Sequence, residues 1–110
     1  MWQVKNVRQT EQFRAWLGGL RDVTGRAIVV RRIKRFAQGN PGDSRSVGDG
    51  VFELRIHFGP GYRVYFVRRD DVVIVLLCGG DKDSQQTDIA RAKRLAAGEG
   101  KTYEFEDDGI

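Results

Sequence analysis

The spacing of apolar residues changes along the chain, and each change predicts an element. Phe13, Trp16, Leu17 and Leu20 stand at i, i+3, i+4 and i+7, one face of a helix. Thr10 can cap that helix, Glu11 suits its first turn, and Gly18-Gly19 weakens its end. Asp22 can cap a second helix running to about Gln38, with Val30, Ile33, Phe36 and Ala37 as its buried stripe. Gly39 is a suitable stop, with Pro41 soon after. Ahead of this hairpin, Trp2 to Val7 reads as a strand with Trp2 and Val4 on one face.

Beyond the loop from Asn40 to Gly50 the period falls to two. Strands are expected at about 51–58, 62–68 and 72–78, joined by Gly59-Pro60-Gly61 and Arg69-Asp70-Asp71. Links this short make neighbours antiparallel. Phe52, Leu54, Ile56 and Phe58 are expected to face the core, with Glu53, Arg55 and His57 facing away. Val72 to Cys78 is apolar at every position, which predicts a central strand covered on both faces. After a polar loop at 79–83, Ser84 or Asp83 can cap a last helix carrying Ile89, Ala92, Leu95 and Ala96, ended by Gly98 and Gly100. Lys101 to Ile110 is either a short edge strand or a flexible acidic tail.

The order β-α-α-β-β-β-α is an α+β domain, a helical hairpin packed on a small, mostly antiparallel sheet. Residues 1–98 are read as the domain and 99–110 as an acidic C-terminal tail. A chain that is 40% hydrophobic and 31% charged is not compositionally disordered. No apolar run is long enough to cross a bilayer, and the first residues lack a signal-peptide core. The single cysteine, Cys78, excludes an internal disulfide, so a cytoplasmic location is expected, with no membrane partner.

Charge is distributed unevenly. Residues 1–69 carry 14 Lys and Arg against 5 Asp and Glu, whereas residues 70–110 carry 5 against 10. The basic part can attract polyanions through counterion release. Two arginines and a histidine on one sheet face suit phosphate, with RNA the best candidate ligand. Arg63 is the first choice for gripping phosphate oxygens, because a guanidinium presents paired donors. Arg55 is second, and Lys82 can approach the same face. A salt bridge from Arg63 to Glu53 is the structural alternative. His57 suits proton transfer, or is a surface residue. Glu53 is a base, or a partner that orients an arginine. Tyr65 offers a phenol, and Tyr62 or Tyr103 a stacking surface, unless they only pack. Arg45 in the loop and the helix residues Arg31, Arg32, Lys34 and Arg35 are candidate nucleic-acid contacts. One cysteine and one histidine are too few for a typical zinc site, and no P-loop, dinucleotide fingerprint or nucleophile elbow is present. No cofactor is expected.

Phe13-x-x-Trp16-Leu17, Gly39-Asn40, Val47-Gly48-Asp49-Gly50-Val51-x-Glu53-Leu54-Arg55, Gly59 to Phe66, Leu76 to Lys82, Gln85 and Asp88-Ile89 form a set of segments. Together they resemble the RelE/ParE superfamily of bacterial toxins, and within it the HigB-like branch of addiction-module killer proteins. The resemblance spans residues 2–97 and implies a RelE-like fold. It implies a cytoplasmic toxin held inactive by a cognate antitoxin, which by family analogy carries a helix-turn-helix domain. Many such toxins cleave mRNA on the ribosome, with basic residues at the places matching Arg55, Arg63 and Lys82; ParE-like members instead poison DNA gyrase without being enzymes. Some nucleases of the family carry a catalytic tyrosine in the last helix, where this chain has Asp88. That departure keeps open a degenerate toxin that only binds its antitoxin.

Overall fold

The computed structural model describes residues 4, 6–40, 42–70, 73–98 and 100–105. Their order is β1 (Asn6–Thr10), α1 (Glu11–Gly18), α2 (Val23–Ala37), β2 (Ser44–Gly48), β3 (Val51–Ile56), β4 (Tyr62–Arg69), β5 (Val73–Gly80), a 3-10 turn (Lys82–Ser84), α3 (Gln85–Ala97) and β6 (Thr102–Glu104). The strands form one mixed sheet in the order β2-β3-β4-β5-β1-β6. β1 and β5 are parallel, and the other described pairs are antiparallel. None of the described helices is long and apolar enough to cross a membrane.

The caps of the hairpin helices follow the sequence. The Thr10 hydroxyl accepts from the Phe13 N–H and donates to Leu77 O, so it caps α1 and ties it to β5. Asp22 accepts from the Gly25 N–H at the start of α2. The last helix begins differently: Asp81, not Ser84 or Asp83, caps the turn before it, and the Ser84 hydroxyl reaches Asp88. One strand lies outside the predicted set, and one decides between the two forms expected of the tail. Ser44–Gly48 pairs with β3 inside the expected loop, because the Asp49-Gly50 turn closes a hairpin with positive φ at Gly48, Asp49 and Gly50. Thr102–Glu104 pairs with β1, and Phe105 packs edge-on to Phe13. Of the tail, then, residues 102–104 take the edge-strand form; residues 106–110 lie outside the described residues, as do Trp2 and Val72.

The sheet has a core on each face. Phe13, Val29, Ile33 and Phe36 of the hairpin cover Leu54, Ile56, Val64, Phe66, Ile74 and Leu76. On the other face α3 brings Ala92 over Val51, Tyr65, Val67, Val75, Leu77 and Cys78. The face carrying Glu53 and Arg55 is therefore roofed, not open. β5 is interior in the sheet and covered on both sides, as its unbroken apolar run requires.

A bulge in β5 sets the orientation of its end. Tyr65 pairs with Cys78 but Phe66 pairs with Leu76, leaving Leu77 as the extra residue. Leu77 and Cys78 both enter the core beneath α3. The alternation is thereby shifted by one residue, and Gly79 faces α1 while Gly80 faces α3. A Cβ on Gly79 would lie 2.3 Å from the Trp16 ring. Gly79→Ala is expected to cost about 1–3 kcal/mol, read as a lower urea midpoint with an unchanged slope.

Candidate functional site

β3 and β4 turn their odd-numbered side chains to the α3 face of the sheet, with Glu53 beneath Gln85 at the start of that helix. Glu53 is fully buried there and accepts four hydrogen bonds. Oε1 takes Arg45 Nε at 3.2 Å and Arg55 Nε at 3.1 Å. Oε2 takes Gln85 Nε2 at 2.7 Å and the Tyr65 hydroxyl at 3.1 Å. Burial pushes this carboxyl up, but the donors from Gln85, Arg55, Tyr65 and Arg45 outweigh it and hold it below its ordinary value. Glu53 is thus an ionised hub joining β2, β3, β4 and α3.

Arg63 stands opposite Arg55 on one side and Gly80 on the other. It is 8% exposed, yet it makes no ion pair among the described residues. The salt bridge to Glu53 envisaged from the sequence does not form, because Arg45, Arg55, Tyr65 and Gln85 already occupy that carboxylate. Arg63 Nη1 makes one long bond of 3.4 Å to Gly61 O, and its buried Nε has no partner. Lys82 lies across Gly61 from it. A Cβ on Gly61 would sit 3.5 Å from Lys82 Cβ and 3.6 Å from Arg63 Nη1. Arg55 and Arg63 are thus cross-strand neighbours, the stem of Lys82 starts on the far side of Gly61 from Arg63, and Arg45 is joined to Arg55 through Glu53.

The other candidates are placed as follows. Tyr65 is fully buried, and burial together with Glu53 raises its phenol far above the ordinary value. Its hydroxyl points into the hub, not toward an open face. His57 is largely exposed and pairs through Nε2 with Asp43 Oδ2 at 2.6 Å. This contact, followed by the nearby charges of Arg55 and Arg63, holds the Asp43 carboxyl below its ordinary value. Asp88 is buried beside Gly80 and accepts from Ser84 Oγ and Arg91 Nη1. Tyr62 donates to Asp22 at 2.9 Å, and Tyr103 lies beneath Arg14 and Lys101.

On α2, Arg31, Lys34 and Arg35 are exposed, whereas Arg32 lies partly buried against Gly42. A cavity of about 590 Å³ opens elsewhere, between β5, β1 and the end of α3; Val73, Leu77 and Leu95 help line it, and no member of the arginine cluster does. Sequence reasoning missed Gln85 and Asp43, and it named Arg45 only as a nucleic-acid contact, not as a partner of Glu53. Gln85 meets Glu53 from 32 residues away, and no local periodicity marks such a contact.

The profile of the family "Phage derived protein Gp49-like (DUF891)" matches residues 15–97. An uncharacterized protein of Haemophilus influenzae (strain Rd) is 49% identical over 90 residues, which cover 82% of this chain and 91% of that protein. The chain belongs to the Gp49-like family. Gp49-like proteins are toxin-like and related to addiction modules, which points to a toxin of the toxin–antitoxin kind with an antitoxin as partner. The Gp49-like fold seen here is similar to the solution structure of the conserved hypothetical protein HP0894 from Helicobacter pylori. The TM-score is 0.50 at 17% identity, over 76% of this chain and 97% of that one.

Proposed function

We propose that this Gp49-like chain is a RelE/ParE-superfamily toxin of the HigB-like kind that cleaves mRNA on the ribosome. The supporting observation is the buried Arg63 guanidinium, which has an unpartnered Nε and lies near Arg55 and Lys82. A buried cation with no carboxylate in direct contact is costly unless an anion completes its donors. A phosphodiester supplies that anion, and its charge grows in the transition state of strand cleavage. Glu53 serves as the orienting partner: it fixes the Arg55 and Arg45 guanidinium stems on the sheet. The exposed Arg31, Lys34 and Arg35 provide a second, sequence-blind contact for ribosomal RNA. An antitoxin carrying a helix-turn-helix domain holds the toxin inactive in a cytoplasmic complex.

The test is to map mRNA 5′ ends shortly after inducing the wild-type chain and Arg63→Met, which keeps the stem and removes the charge. New ends within translated codons, absent in the variant, are expected. Growth arrest without such ends would move the activity to gyrase poisoning. Neither arrest nor new ends would leave a degenerate antitoxin binder.

A further inference from the structure

His57 and Asp43 lie beside the arginine cluster but outside the Glu53 hub. His57 follows β3, two residues beyond Arg55, and its side chain is 71% exposed. Asp43 immediately precedes β2, and its backbone carbonyl accepts the Arg55 N–H at 2.8 Å. The turn before it is pinned. Gly42 has φ +56, donates its N–H to Asn40 Oδ1 at 3.1 Å and lies against the Arg32 guanidinium. Asp43 is thus held in place by the β3 ladder and by α2, while its carboxylate reaches His57 Nε2 at 2.6 Å. Arg55 on β3 and Arg63 on β4 are the other charges acting on this carboxylate.

We propose that Asp43 is a positioning residue that holds His57 in its Nε2–H tautomer, so that Nδ1 accepts the proton of the attacking ribose 2′-hydroxyl. The inference rests on the nuclease reading above and adds the base to it. An ionised carboxylate only accepts, so the neutral imidazole must donate from Nε2 and carry its lone pair on Nδ1. Nδ1 has no partner among the described residues. In the step, the 2′-hydroxyl proton passes to Nδ1 and the 2′-oxygen bonds to phosphorus. The bond from phosphorus to the 5′-oxygen breaks, and that oxygen takes a proton from solvent. The imidazolium then returns its proton to solvent, leaving a 2′,3′-cyclic phosphate and a 5′-hydroxyl. Arg55 and Arg63 meet the charge on the phosphate oxygens.

His57 is the sole histidine of the chain, so its ring nitrogens can be assigned directly in a nitrogen-15 NMR spectrum of the whole protein. The wild type is expected to show the Nε2–H tautomer in its neutral form. Asp43→Asn, whose amide can donate to Nε2, is expected to shift the population toward Nδ1–H. In parallel, cleavage of mRNA on programmed ribosomes is followed across pH for wild type, Asp43→Asn, His57→Gln and Arg63→Met. General-base loss is worth roughly 10²–10⁴-fold in rate. Asp43→Asn is expected to lose at least ~10²-fold in kcat at nearly constant KM, and His57→Gln to lose at least as much. A wild-type ring in the Nδ1–H tautomer would overturn the proposal. So would full-rate cleavage by Asp43→Asn, and if Arg63→Met were inactive in the same assay the nuclease reading would survive. No cleavage by the wild type would sink both.

Discussion

Arg63→Met is expected to be more stable than the wild type and to have lost toxicity. The wild-type guanidinium sits in a site 8% exposed with no ion pair among the described residues and an unpartnered Nε. Even a buried ion pair is often replaced by apolar side chains at a gain of about 1–4 kcal/mol, and here no direct ion pair is lost. Only one long bond, to Gly61 O, is given up. For a domain of this size each kcal/mol shifts the midpoint by roughly 4–8 °C, so thermal unfolding reads the gain. The same experiment in added inorganic phosphate should raise the wild-type midpoint and leave the variant's unchanged, because an anion that binds only the folded state stabilises it. A variant that melts lower and ignores phosphate would mean that Arg63 serves the fold.

Glu53→Ala is expected to be the most damaging single change in the site. Its carboxylate is fully buried and takes donors from Arg45, Arg55, Tyr65 and Gln85. Removing it leaves the Tyr65 hydroxyl buried without an acceptor and frees two guanidinium groups to repel one another. Breaking a buried charge network in this way costs about 3–5 kcal/mol, a large part of the ~5–15 kcal/mol that holds a small domain together. Guanidinium denaturation of the variant and wild type measures the loss.

The pH dependence has a fixed sign. Glu53 is held below its ordinary value of 4.5 when folded, so the unfolded chain binds the proton more tightly. Its stabilising contribution is complete above the unfolded value and is lost as pH falls through the folded one. Glu53→Gln should therefore start less stable at neutral pH and show a flatter acid limb. A variant with the same acid limb as wild type would assign acid lability to other carboxylates, such as Asp22, which the Gly25 N–H and then Tyr62 hold low.

The helical hairpin, the three consecutive strands from Val51 to Cys78 and the last helix were legible because each rests on local chemistry, whereas the first strand lies at Asn6–Thr10 rather than at Trp2 to Val7. Thr10 and Asp22 cap helices whatever lies around them, and a run such as Val73 to Cys78 satisfies itself only in the middle of a sheet. Short polar strands carry no such signal. Ser44–Gly48 reads as loop because its side chains bury little, and its ladder to β3 is what makes it a strand. Thr102–Glu104 likewise depends on the free edge of β1.

By itself, then, the sequence determined the α+β class, the excess of basic residues before Asp70 and the gathering of Arg55 and Arg63 at paired strands. Period and composition are local quantities, and they suffice for those conclusions. Only the tertiary structure decided how these charges are partnered. A carboxylate has room for a limited set of donors, and which side chains reach it depends on distances between elements far apart in the chain. Arg45, Arg55, Tyr65 and Gln85 converge on Glu53 from β2, β3, β4 and α3. That convergence leaves Arg63 without an ion pair among the described residues, and the sheet face carrying Glu53 is roofed by α3.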